Sequence, residues 1–188
     1  MLLYVDNHYR SPYAMSVFVA LREKHIAFEM RTVDFESGEN HTDAYSTASL
    51  TERVPTLVIG DFSLSESSAI TEYLDEIFPG TALYPPEPKA KARARQVQAW
   101  IRSDFLPIRQ ERSTICIYYQ KSYVPLSQEA QNAAHKLFRA ADALLEHNGE
   151  NLFGAWSIAD VDLALMLNRL VLNGDDVPDR LAEYARTQ

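Results

Sequence analysis

Apolar positions recur along this chain with two periods, and the loss of one of them divides it. Up to about residue 78 strand-like runs alternate with helical stretches, whereas from Lys89 onward only the helical period remains. Leu2 to Val5 reads as a buried strand. Met15, Val17, Phe18, Val19, Leu21 and Ile26 read as a helix covered on more than one side, and Phe28 to Val33 alternates as a second strand. Strand, helix, strand implies a right-handed crossover and a parallel pair. Glu36 to Thr51, with Gly38, Asn40, His41 and several Ser and Thr, has weak helical propensity and is expected to be a loop with a short helix before Val54. Thr56 to Ile59 is a β-rich run, Gly60-Asp61 a turn and Phe62 to Leu64 an alternating strand, which together predict an antiparallel hairpin. Ser65 is then placed to cap a helix whose Ala69, Ile70, Tyr73, Leu74, Ile77 and Phe78 share one stripe. The order is βαβαββα with a mixed sheet.

Pro79-Gly80-Thr81 and Tyr84-Pro85-Pro86-Glu87-Pro88 cannot continue a helix. They predict a linker over 79–88 between an α/β domain at 1–78 and an all-α domain at 89–188. The second domain is expected to hold a long helix to about Tyr119 that Pro107 kinks, another from Ser127 to His147, and a third from Ile158 to Leu172. Ser157-Ile158-Ala159-Asp160 has the spacing of a capping box at the start of the third, a folding role for Ser157 and Asp160. Lys89, Lys91, Arg93 and Arg95 fan out around a helix start and read as solvated surface.

Two short stretches carry candidate chemistry. Glu66-Ser67 stands at a helix start, where unpaired backbone N–H groups and the helix dipole favour a carboxylate while Glu66 suits an ammonium group. An α-amino carboxylate carries both groups on one carbon, although an ordinary acidic first turn has the same sequence. Val54-Pro55 directly precedes a strand. A trans bond is the default there, and a cis bond would present the Val54 main chain to an added peptide strand.

Val-Pro, a hairpin and Ser-Glu-Ser-Ser-Ala-Ile in this order resemble the glutathione-binding half of the glutathione transferase family, and the resemblance extends over nearly the whole chain. It implies a thioredoxin-like first domain followed by a helical bundle, a cis Val54-Pro55 bond, and glutathione as co-substrate without a metal. In that frame the Val54 main chain pairs with the cysteinyl part of glutathione, and Glu66 and Ser67 take its γ-glutamyl end. Arg53, His41 and Thr51 lie where the glycyl carboxylate ends, Arg53 being the best placed.

A free thiol has a pKa near 8.5, so the site must favour the thiolate. Family members do this with a group at the end of the loop after the first strand, where this chain offers Tyr9, Ser11 and Tyr13. Ser11-Pro12 places a hydroxyl directly before a helix-starting proline, which makes Ser11 the first choice as hydrogen-bond donor to sulfur and leaves the tyrosines open. Simple N-capping is compatible with that role. The resemblance implies a second-substrate wall that includes Tyr13 and, from the second domain, Phe105, Arg109 and Tyr118, with Trp100 and Tyr119 beside them. Family members usually continue past Tyr184 through another helix, where this sequence stops at Gln188.

Composition narrows the setting. The 188 residues are 46% hydrophobic and 11% aromatic, enough for a packed core. A formal charge of −8 argues against nucleic acid or an anionic membrane as partner. Cys116 is the one cysteine, which excludes an internal disulfide and a Cys-x-x-Cys pair. No basic-then-apolar leader opens the sequence and no apolar run reaches spanning length, so a reducing cytosol is expected. The expected activity is a cytoplasmic, homodimeric glutathione transferase acting on a hydrophobic electrophile. A glutathione-dependent peroxidase or disulfide reductase uses the same site, and a transferase-like module that binds partner proteins is the rival from another class.

Overall fold

The computed structural model describes residues 1–119, 121–145 and 149–188. They form two compact units, Met1–Leu83 and Tyr84–Gln188.

The first unit runs β1 (Leu2–Asp6), α1 (Pro12–Glu23), β2 (Glu29–Val33), a 3₁₀ turn (Glu39–His41), α2 (Asp43–Ser46), β3 (Thr56–Ile59), β4 (Phe62–Ser65) and α3 (Ser67–Ile77). The sheet order is β2-β1-β3-β4, with β1 parallel to β2 and the remaining pairs antiparallel. This is the mixed sheet expected from the order of elements, in the thioredoxin-like plan that the family resemblance implies. Leu3 lies opposite Leu57 in the ladder, and both are buried together with Val5, with Val17 and Leu21 of α1, and with Ile70 and Leu74 of α3. Tyr4 alternates to the opposite face, where its ring meets Tyr45 of α2 edge-on at 5.2 Å. Truncating a fully buried leucine such as Leu74 to alanine costs about 2–5 kcal/mol.

Two boundaries differ from the sequence reading. Ser65 pairs with Thr56 as the last residue of β4, and the N-cap of α3 is Glu66, whose positive φ of 75° turns the chain from strand to helix. Within the segment predicted as linker, Leu83 and Tyr84 are buried, and Pro88 already begins α4. The tail of the first unit is tied back by Asp75, whose Oδ1 accepts the Leu83 N–H at 2.8 Å and faces Lys24 Nζ at 3.3 Å. Lys24 also donates to the Phe78 carbonyl at 2.9 Å.

The second unit holds α4 (Pro88–Asp104), α5 (Leu106–Glu111), α6 (Thr114–Tyr118), α7 (Gln128–Leu145), α8 (Ile158–Val171) and α9 (Asp179–Thr187). The long predicted helix breaks at Phe105 instead of kinking at Pro107, which falls in the first turn of α5, where a missing N–H leaves no bond unmade. His147, the expected end of the next helix, lies outside the described residues. Ser157 and Asp160 form the predicted capping box, and α9 is a helix that the sequence reading did not include.

Candidate functional site at one end of the sheet

Register brings three separate segments to one end of the sheet. Tyr4 of β1 pairs with Thr56, the first residue of β3, which itself pairs with Ser65, the last residue of β4. The loop after β1, the residues before β3 and the start of α3 therefore meet at the same end. Ser11, Arg53, Val54, Pro55, Glu66 and Ser67, far apart in sequence, lie on these segments.

The first segment is organised by a residue that the sequence reading did not single out. Asp6, only 7% exposed, accepts the backbone N–H groups of His8 at 3.2 Å, Arg10 at 2.9 Å and Ser11 at 2.8 Å. A loop that contains Tyr9 at φ 55° is thereby fixed in one shape. The signal was faint: an acid at the end of a strand, five residues before a helix cap.

Ser11 is the N-cap of α1, and its Oγ accepts the Ala14 N–H at 3.2 Å. Among the described residues its hydroxyl proton has no acceptor, so it is available to an anion. Ser11 also lines an apolar pocket of about 220 Å³ with Val5, Tyr9, Ala14, Met15, Phe18 and Met30. Tyr13 sits in the first turn of α1, half-buried, and Tyr9 is exposed.

The second segment carries a cis Val54-Pro55 bond. Pro55 is buried and Val54 half-buried, and neither the N–H nor the C=O of Val54 has a partner among the described residues. The Arg53 side chain is exposed. His41 Nδ1 lies 2.7 Å from Glu52 Oε2, so it faces its own acidic neighbour, and the buried hydroxyl of Thr51 has no partner among the described residues.

The third segment differs from the start of α1 in having no side-chain cap. Glu66 is exposed and makes no capping hydrogen bond, while Ser67, 2% exposed, is the first residue of α3. A left-handed backbone at a residue with a side chain is costly and collects at functional sites. Glycine would suit position 66 sterically, and the glutamate sits there against a local backbone preference.

The residues predicted for a second-substrate wall in the helical unit divide. Phe105 is fully buried and packs edge-on against Trp100 at 4.6 Å, so it serves the core of that unit and has no surface to offer a ligand. Arg109 is half-buried and donates from Nη1 to the Ile101 carbonyl at 2.9 Å. Tyr118 and Tyr119 of the α6 region are exposed. Among the described residues no group of three or more His, Cys, Asp or Glu is arranged to hold a metal ion, and no helix is long and apolar enough to cross a membrane.

Comparison with known proteins matches residues 7–82 to the N-terminal domain of glutathione S-transferases and residues 87–188 to their C-terminal domain. The chain belongs to the glutathione S-transferase family. Among its relatives in that family is a probable maleylacetoacetate isomerase of Vibrio cholerae, 30% identical over 172 residues, which span 87% of this chain and 79% of that protein. A Burkholderia glutathione transferase homolog, crystallised with bound glutathione, is 46% identical with a TM-score of 0.82, covering 100% of this chain and 90% of that one. A maleylacetoacetate isomerase from Methylobacterium extorquens, with bound malonate and glutathione, is 27% identical with a TM-score of 0.76, again covering 100% and 90%.

Proposed function

We propose that this transferase binds glutathione across the three segments at the sheet end and activates its thiol at Ser11. The observation that carries the reading is their convergence: a Val54 main chain and a Ser11 hydroxyl proton without partners among the described residues, and a helix start bearing Glu66 and Ser67 with no side-chain cap. An extended γ-glutamyl tripeptide matches this set. Its α-carboxylate meets the start of α3 and the Ser67 hydroxyl, its ammonium meets Glu66, its cysteinyl amide pairs with Val54, and its glycyl carboxylate falls toward Arg53.

Ser11 then donates its proton to the sulfur as a hydrogen bond. A serine hydroxyl is too weakly basic to remove the thiol proton, so it acts by stabilising the thiolate that forms when the thiol gives its proton to solvent. The thiolate attacks an electrophilic carbon, forming the C–S bond as a leaving group departs with its electron pair, or as the π pair of an activated double bond moves away from that carbon and takes up a proton from solvent. The apolar pocket beside Ser11 favours acceptors with a hydrophobic body. The same reading, resting on the family, takes the molecule as a cytoplasmic homodimer whose partners are glutathione and an electrophile or peroxide.

A second reading is favoured by the relatives named maleylacetoacetate isomerase. In it the thiolate adds to an activated double bond, the resulting single bond rotates, and elimination returns glutathione unchanged. Calorimetric titration with glutathione tests the common site, and absence of heat at millimolar ligand would refute both readings. Thiol counting during turnover separates them: conjugation consumes one thiol per product formed, and isomerisation consumes none.

A further inference from the structure

The carbonyl oxygen of Arg53 is approached by three hydroxyls: Tyr45 Oη at 2.7 Å, Thr56 Oγ1 at 2.9 Å and Ser49 Oγ at 3.3 Å. The hydroxyls also meet one another, Thr56 Oγ1 lying 2.8 Å from Ser49 Oγ and 3.3 Å from Tyr45 Oη. None of the three residues is more than 4% exposed. Burial holds the Tyr45 phenol above its ordinary range, so it remains a protonated donor. One carbonyl has two lone pairs, and a single hydrogen bond would close the turn from Ser49 to Thr56. This cluster fixes the direction of the carbonyl far more tightly than closure requires.

That direction has a partner on the other side of the same peptide group. The Arg53–Val54 bond is trans, the cis bond being the next one along. A trans peptide is planar, with its C=O and N–H pointing in opposite directions. With the Arg53 oxygen held inside the buried cluster, the Val54 N–H must point away from it, and among the described residues that N–H has no acceptor. We propose that Tyr45, Ser49 and Thr56 are positioning residues, which lock the Arg53–Val54 peptide plane so that the Val54 N–H is aimed at a backbone carbonyl of the extended peptide bound beside it. This rests on the glutathione reading above and adds to it the residues that aim the donor.

The test uses the full ¹⁵N-labelled chain with glutathione as the ligand, read by calorimetry and by the Val54 amide resonance. In the wild type, glutathione moves the Val54 amide proton downfield as its hydrogen bond forms. Tyr45→Phe and Thr56→Val weaken glutathione binding by about three- to tenfold and reduce that shift, since the plane is no longer fixed on both sides. Thr56→Ser, which keeps the hydroxyl, restores both, whereas a merely structural role would leave the Val54 shift of folded variants unchanged. Tyr45→Phe retains the ring contact with Tyr4, and the wild-type resonance needs no variant, so a Thr56→Val chain that fails to fold does not protect the idea. Absence of glutathione binding to the wild type overturns the functional reading and this inference together. Binding that leaves the Val54 amide unmoved, or folded variants with wild-type affinity, overturns the inference alone.

Discussion

Ser11 uses the two halves of one hydroxyl for different purposes. Its lone pair caps α1 through Ala14, and the proposed function gives its proton to the glutathione sulfur. Ser11→Ala is therefore expected to cost about 1 kcal/mol of stability through the lost cap. It should also raise the pKa of bound glutathione by about one to two units, the equivalent of one charge-assisted hydrogen bond. Thiolate absorbance of the complex against pH checks this, with Tyr9→Phe and Tyr13→Phe expected to do less. A tyrosine variant that moves the titration while Ser11→Ala leaves it in place would transfer the role. Glu66 offers a sharper contrast between fold and function. A left-handed residue with a Cβ costs on the order of 1–3 kcal/mol, which glycine avoids at the expense of a more flexible unfolded chain. Glu66→Gly should leave thermal stability level or raised while weakening glutathione binding at least about tenfold through loss of the ammonium partner. Lower stability with full affinity would show the glutamate to be structural. Residue types at this site were legible because Ser-Glu-Ser and Val-Pro are local patterns. Asp6 was not, because its meaning lies in three amides that only the folded loop turns toward it.

At the scale of elements, periodicity located strands and helices and failed where tertiary pairing decides a boundary. Ser65 has the chemistry of a cap, yet ladder pairing with Thr56 claims it, and the cap moves one residue on. Pro107 signals a break, but the chain turns at Phe105 because a proline fits the first turn of a new helix. Helix α9 was missed because its buried face is short, two of its four residues being alanine, and is secured from outside, by the Tyr184 hydroxyl on Asp160 at 3.0 Å. Asp160 itself was legible as a cap but not as a hub. Fully buried, it accepts from Leu152 N–H at 2.7 Å, from the Ser157 N–H at 2.9 Å and hydroxyl at 2.8 Å, and from Tyr184. Asp160→Ala leaves these donors without an acceptor and is expected to cost about 2–4 kcal/mol, more than a surface cap. Burial outweighs the hydrogen bonds and holds the Asp160 carboxyl above the ordinary aspartate range. A raised pKa in the folded state means that the stabilising contribution is complete below the ordinary range and is lost as pH rises through the raised value. The stability gap between wild type and Asp160→Ala should thus be widest in acid and narrow with increasing pH. Denaturant unfolding at several pH values measures it, and a gap that widens toward neutrality would show hydrogen bonding to the anion to be the stronger effect.

For the whole molecule, composition was informative only by exclusion: a charge of −8 disfavours polyanionic partners but says nothing of which small molecule binds. Of the two units, Met1–Leu83 and Tyr84–Gln188, the first contains every residue proposed to hold glutathione. A ligand that binds only the native state adds about 2.7 kcal/mol at one hundred times its dissociation constant. In a chain of 188 residues, where each kcal/mol moves the midpoint by about 2–4 °C, that corresponds to a rise of about 5–10 °C. The gain should not be spread evenly. Hydrogen-exchange protection is expected to grow at residues 9–14, 53–56 and 65–70, the three segments that register brings to one end of the sheet, because ordering a ligand across them suppresses their local opening. If the transition of the first unit separates from that of the second in calorimetry, only the former should move directly with glutathione. Protection confined to residues 84–188 would place the ligand on the helical unit and remove the sheet-end site as the glutathione-binding surface.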